Sequence, residues 1–250
     1  MVKSLSRVVI SGAFALALLL VGAKRADASL LIYLQAAGVN SGNIVQVGTG
    51  ADFTAASFTG SYGDFQVNVF GGSSDNGATL SDLLSSTTSV QNNGTSTETL
   101  KIWVAQTGYT LPSGTPLNVE SGEGGSINQG TLTLSGIFQA YADRNNDGLP
   151  ASNTSALCGA ACLDFTNGAQ TGVPTGSTYD TGSATGTFNR ILGSPYSLVQ
   201  VTTFTLSAGG KANFSAHENL NPAGVPEPAS LFLVGTGLFA ASRRRFWKKA

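Results

Sequence analysis

The chain has 250 residues, a formal net charge of −1 and a hydrophobic content of 41%. Between Ser29 and Val225, however, the bases are only Lys101, Arg144, Arg190 and Lys211 against twelve acids, so this stretch carries 4 − 12 = −8. An acidic body with scattered cations excludes a nucleic-acid footprint, which needs a basic patch, and roughly 197 residues is the size of one domain with its own core.

At the start of the chain, Lys3 and Arg7 precede an apolar run from Val8 to Val21 broken only by Ser11 and Gly12. Ala26-Asp27-Ala28 then gives the small-x-small pattern that signal peptidase reads, so residues 1–28 are predicted to be a signal peptide removed after Ala28. Lys24 and Arg25 keep an uncleaved anchor as the alternative.

The body, residues 29–224, has a period of two. Phe65, Val67 and Val69 alternate with Gln66 and Asn68, Leu100, Ile102 and Val104 with Lys101, Trp103 and Ala105, and Leu132 and Leu134 with Thr131, Thr133 and Ser135. Such alternation sets one face of a strand on a core and the other in water. Further strands are expected at Leu30 to Gln35, Ile44 to Val47, Phe53 to Phe58, Ile137 to Ala142, Leu198 to Leu206 and Lys211 to His217, with Ser207-Ala208-Gly209-Gly210 as a hairpin turn between the last two. Clusters at Gly71 to Gly77, Asn92 to Gly94 and Glu120 to Gly130 read as turns, Thr79 to Ser85 as a short helix, and Asn145 to Gly193 as a long decorated loop. Many short antiparallel strands joined by glycine-rich turns predict an all-β, jelly-roll-like sandwich.

Candidate chemistry in the body is sparse. Asp143-Arg144-Asn145-Asn146-Asp147-Gly148 opens like a calcium loop, with Asp143, Asn145 and Asp147 at positions 1, 3 and 5 and glycine at 6. Thr154 stands where the bidentate glutamate belongs, so a polar Asx-turn closing the preceding strand is the competing reading. Cys158 and Cys162 are the two cysteines, read as a disulfide because an exported protein meets an oxidising environment. His217 is the one histidine, and no Gly-x-Ser-x-Gly element accompanies it to suggest a nucleophile.

The end of the chain carries the densest signal. Val225-Pro226-Glu227-Pro228-Ala229-Ser230 is followed by an apolar stretch, Leu231 to Ala241, and by Arg243, Arg244, Arg245, Lys248 and Lys249. Pro226 and Pro228 hold the backbone extended. A helix from Ala229 to Ser242 reaches about 21 Å against roughly 30 Å of hydrocarbon, and a basic cluster beside it stays cytoplasmic. In these residues the chain resembles the PEP-CTERM proteins, presumed exosortase substrates of Gram-negative bacteria that make extracellular polysaccharide. The resemblance covers about a tenth of the sequence, residues 225–250. It implies export, capture of the tail in the inner membrane as a transmembrane sorting helix, cutting by an exosortase-type enzyme, and a final location at the cell surface or beyond.

For the body, the expectation is a structural or adhesive module rather than an enzyme, with Trp103, Tyr109 and Tyr141 as exposed aromatics for stacking on extracellular polysaccharide. The alternative is a secreted carbohydrate-active enzyme, needing two carboxylates about 5–10 Å apart across a cleft, or a calcium-dependent glycan-binding module.

Overall fold

The computed structural model describes residues 28–51, 53–146, 148 and 165–223. The expected signal peptide up to Asp27, both cysteines and the C-terminal motif lie outside them. The first sheet contains β1 (Leu30–Ala36), β2 (Val45–Gly50), β6 (Glu98–Tyr109), β8 (Phe138–Asp143), β9 (Phe165–Thr166) and β13 (Tyr196–Leu206), in the order β2-β1-β6-β13-β8-β9. The second contains β3 (Ala56–Tyr62), β4 (Phe65–Asn76), β5 (Ser81–Asn92), β7 (Leu117–Gln129), β10 (Val173–Thr175), β11 (Thr178–Asp180) and β14 (Lys211–Pro222). Its order is β10-β11-β7-β14-β5-β4-β3, and β12 (Ala184–Phe188) pairs with another stretch of β7.

The chain crosses between sheets at β5 to β6, β6 to β7 and β7 to β8, then returns late to fill the gaps: β13 lies between β6 and β8, and β14 between β5 and β7. That interleaving is the jelly-roll order, with β1 to β4 widening both sheets. Alternation supplies the interior. Leu30, Ile32 and Leu34 of β1, Phe65, Val67 and Val69 of β4, Leu198, Phe204 and Leu206 of β13, and Phe214 and Leu220 of β14 all enter one apolar cluster. A second, smaller cluster lies on the outer face of the first sheet, where Trp103, Ala105, Val199 and Val201 pack with Tyr33, Ile44 and Tyr141. Strand β13 is therefore buried on both faces through its first half.

Several expectations need correction. Ser207 to Gly210 does turn the chain, with Gly209 at φ 67° and the Gly210 N–H donating to Ser207 O at 2.8 Å. It is an arch between sheets and not a hairpin, because β13 already pairs with β6 and β8 on its two edges and has no edge left for β14. Thr79 to Ser85 is no helix: β5 begins at Ser81 and runs to Asn92. The Gly71–Gly77 and Glu120–Gly130 clusters are largely strand, within β4 and β7. Leu132 to Ser135 contributes only a single bridge, Leu132 to Leu206. The third strand starts at Ala56 rather than at Phe53, whose φ of 49° breaks extended geometry. The region from Asn145 to Gly193 holds β9, β10, β11 and β12.

Gly125 shows how tightly β7 is enclosed. It faces Phe214 on one side and Tyr179 on the other, and a Cβ there would come within 2.1 Å of Asn213 O and 2.7 Å of Tyr179 Oη. Its neighbour Gly124 has ordinary clearance, 3.4 Å or more. Gly125→Ala is expected to lower unfolding free energy by about 1–3 kcal/mol, the usual scale of overpacking, while Gly124→Ala changes it little. Urea denaturation of the two variants checks this, and equal midpoints would contradict the packing.

Candidate functional site

Two places combine unusual burial with chemistry: the interior between the sheets, and the end of the sandwich where the chain leaves for its tail.

In the interior, inward positions that should be apolar are polar. On β5 they are Ser81, Ser85 and Thr87, on β7 Ser121 and Glu123, on β13 Gln200 and Thr202, and on β14 Glu218, all at most 6% exposed. Most are tied across the gap. Gln200 Nε2 donates to Leu83 O at 2.5 Å, and Ser85 Oγ donates to Gln200 Oε1 at 2.5 Å. Tyr179 Oη donates to Glu123 Oε1 at 3.0 Å, and the Thr202 hydroxyl donates to Glu123 Oε2. Burial pushes the Glu123 carboxyl up to about 8, with the Thr202 and Tyr179 hydroxyls acting against the rise. Desolvation and the nearby Glu123 raise the Tyr179 phenol, which therefore stays protonated as the donor.

Glu218 is fully buried, neither carboxyl oxygen has a hydrogen-bond partner, and desolvation raises its pKa well above the usual carboxylate range. It lies opposite Ser121 and Leu83, with Glu123 opposite the adjacent inward residue Ala216. A charged carboxylate in this setting is far more costly than a neutral acid. These two acids are close in register but enclosed, so they do not form the open, facing pair that glycoside hydrolysis needs.

At the exit end, β14 closes against β7, with Pro222 opposite Leu117 and the Ala223 N–H donating to Pro116 O at 3.4 Å. The connection from β6 to β7 passes here, with cis peptides at Leu111-Pro112 and Thr115-Pro116. Asn76 braces it, accepting from Thr110 N–H at 3.0 Å and Leu111 N–H at 2.7 Å. Arg190, 6% exposed, donates from Nη1 to Thr110 O and Pro112 O and from Nη2 to Ser194 O, each at 2.7 Å. Its guanidinium also lies 4.9 Å from the centre of the Tyr196 ring. Tyr196 stacks on Tyr109 at 5.4 Å and donates from Oη to Leu111 O. Burial lifts its phenol to about 12, against the lowering influence of Ser81 and Arg190. A buried guanidinium fed by carbonyls is a structural brace, and what it braces is the loop of residues 189–195, turned by a Ser194 N–H bond to Ile191 O at 3.1 Å.

The remaining expected residues are dispersed. Asp143 is buried at the end of β8, where its Oδ1 accepts from Asn145 N–H at 3.0 Å and its carbonyl from Asn146 N–H at 3.4 Å. That is an Asx-turn; Asp147 lies outside the described residues. Ala28 is 4% exposed beside Gly108, whereas Ala26 lies outside. Trp103 and Tyr109, expected to be exposed, are 3% and 0% exposed, because the outer face of the first sheet and the exit-end aromatic stack enclose them. Tyr141 is half-buried on that outer face, as is Tyr33, which the sequence reading missed although it alternates with Ile32 and Leu34. His217 faces outward on β14, opposite Leu84 and Gly122. Among the described residues no helix is long and apolar enough to cross a membrane.

Comparison with known proteins identifies the tail. Residues 224–245 match the family model described as PEP-CTERM protein-sorting motif. The chain is therefore an all-β sandwich followed by a C-terminal PEP-CTERM protein-sorting motif. No curated protein matches it. Among solved structures, a carbohydrate-binding module studied for specific mannan recognition, TmCBM27, aligns at 12% identity over 67% of this chain and 86% of that one, with a TM-score of 0.29. The infectious bursal disease virus Gx strain aligns at 12% identity over 91% of this chain and 70% of that one, with a TM-score of 0.14. Likeness at that level carries no ligand across to this chain.

The interior carboxyls make stability depend on pH with a definite sign. A glutamate whose folded pKa is raised binds more protons folded than unfolded between the two values, so stability is full below about 4.5 and falls as pH rises toward about 8. The expected result is a melting temperature higher at pH 5 than at pH 8. Each kcal/mol moves it by about 2–4 °C in a domain of this size. In a Glu123→Gln/Glu218→Gln variant the slope flattens. A wild-type melting temperature that rises across this window would contradict the assignment.

Proposed function

We propose that the chain is an exported bacterial protein whose jelly-roll body serves a structural or adhesive role at the cell surface or in the extracellular matrix, delivered there by its sorting tail. The observation that carries this reading is the sorting motif at residues 224–245, which begins where β14 and the described body end. In this scheme Leu231 to Ala241 hold the tail in the inner membrane, Arg243 to Arg245 with Lys248 and Lys249 stay cytoplasmic, and an exosortase-type enzyme cuts near Pro226-Glu227-Pro228. The two prolines deny the backbone helical hydrogen bonds and leave a scissile carbonyl accessible. The body itself is assigned no reaction.

The start of the fold supports a leader that ends at Ala28. Ser29 N–H donates to Thr107 Oγ1 and Thr107 N–H to Ser29 O, both at 3.1 Å, so a mature chain beginning at Ser29 keeps β1 whole. Ala28 is enclosed in the folded body, so cutting there has to precede docking of β1 on β6.

A second reading, glycan binding, is favoured by Tyr33 and Tyr141, half-exposed on the same outer face three strand spacings apart, about 15 Å. Aromatic rings at such a spacing suit two sugars separated along one polysaccharide chain rather than adjacent ones.

Sequencing of the mature N-terminus should return Ser29, with Ala28→Arg retaining the leader; an exported chain that still starts at Met1 would contradict it. In a host with an exosortase, the tail should be removed and the body released from the inner membrane. Without the enzyme, or with Pro226 and Pro228 both replaced by alanine, uncut protein should stay membrane-bound. Equal amounts of tail-less protein with and without the enzyme would overturn the sorting reading.

A further inference from the structure

The end of the sandwich that releases the tail is also where exposed aliphatic side chains gather. Six large hydrophobic residues are exposed among the described ones, and three of them sit here: Leu80 at 37%, Ile191 at 47% and Leu192 at 65%. Their placement follows from register. Phe188 of β12 and Pro222 of β14 both face Leu117 of β7, from opposite sides. The loop that begins after Phe188 is therefore two strand spacings, about 10 Å, from the point where the chain departs. Leu80 precedes Ser81, which pairs with Leu220 of the same strand end.

The loop is anchored. Arg190 pins its base through three carbonyls, and the Ser194 to Ile191 bond closes its tip around Gly193, whose φ is 80°. Two adjacent aliphatic side chains held in water at the tip of a braced loop gain free energy only on an apolar surface.

The tail specifies which surface. From Ala223 to Ala229, where the sorting helix can begin, there are six residues, or about 20 Å fully extended. A body tethered so closely has this end within reach of the bilayer for as long as the tail is attached. Charge narrows the choice further. Asp75 and Asp82 lie at this end, with Asp75 N–H donating to the Asp82 carboxylate, and Arg190 is turned inward. Arg144, next to Asp143 at the β8 end, is partly buried and is the other cation at this end among the described residues. One such arginine beside two aspartates gives little pull on anionic headgroups, so the contact is apolar and suits a neutral lipid interface.

We propose that Ile191 and Leu192 form a membrane-contacting loop that enters the headgroup region of the bilayer while the sorting tail is attached. The contact turns the exit end of the sandwich toward the membrane and holds residues 224–228 at the interface where they are cut. It rests on the reading of the tail as membrane-captured. A short aliphatic loop is a weak anchor alone, and stable attachment takes two signals, so removal of the tail frees the body.

The test uses the full chain reconstituted in phosphatidylcholine vesicles. In a Cys158→Ser/Cys162→Ser background, Leu192→Cys carries a polarity-sensitive fluorophore, and Val173→Cys serves as the reference. Val173 is equally exposed at 65% but joins β7 through Asp180 at Gly124, seven residues or about 23 Å from Leu117. Leu192→Trp, with the cysteines intact, provides an independent second probe. The expected result is flotation with the vesicles, blue-shifted emission and several-fold stronger quenching by brominated lipid at position 192 than at 173. Flotation with equal quenching at both positions would overturn the loop contact and leave the tail reading standing. Failure to float would overturn the tail reading and the loop contact with it. Shielding of position 192 only when an exosortase is present in the membrane would assign the loop to a protein partner and overturn the lipid contact.

Discussion

The last strand of the body is the middle strand of its larger sheet. β14 is hydrogen-bonded to β5 along one edge and to β7 along the other over nearly its whole length. The second sheet is consequently incomplete until residues 211–222 are in place, and the long-range pairing that closes the fold depends on a segment made just before the sorting motif. The same geometry fixes where the motif emerges. A chain leaving an edge strand can depart at many angles, but one leaving between β5 and β7 departs from the end of the sandwich, beside the loop braced by Arg190. Fold closure and the place where the chain leaves the body thus follow from one pairing.

The strands flanking β14 carry the polar interior. Ser85 and Thr87 on β5 and Glu123 on β7 point inward, Thr87 between Val69 and Phe214 and both Ser85 and Glu123 opposite Ala216. Gln200 and Thr202 on β13 meet them from the other sheet. Hydrogen bonds across the gap restrict register more sharply than aliphatic packing does, since a one-residue slip would bury donors against carbon. Glu218 departs from this logic: it is buried without a partner and is tolerated as the neutral acid.

The strands that alternate cleanly, β1, β4, β6, β8, β13 and β14, were legible in the sequence, as was the two-sheet class. Short β9 to β12 escaped because two to five residues are too few to show a period, and the long strands β5 and β7 escaped for another reason. Their inward faces mix Leu83, Val90, Leu117 and Val119 with Ser81, Ser85, Thr87, Ser121 and Glu123, so the hydrophobic period that marks a strand is broken even though the backbone period is intact. Leu83 and Leu84 of β5 imitate a helical face only because one is inward and the other lies exposed on the outer face. Likewise the Ser207 to Gly210 segment has good turn residues, but turn chemistry fixes the bend and not the partner. The sorting motif was read directly because it is defined by local order of residue types, whereas the braced loop at Arg190 could not be. Its significance comes from carbonyls of residues 110–112, some eighty positions earlier in the chain.

Amide hydrogen exchange resolved strand by strand in the intact protein tests the central claim most directly, because slow exchange marks strands that open only with the whole fold. If β14 closes the sandwich, amides across residues 212–221 exchange as slowly as those of β6 and β13. Exchange in β14 as fast as in the edge strands β3 and β10, with β6 and β13 still protected, would show a body that closes without its last strand and would contradict the account.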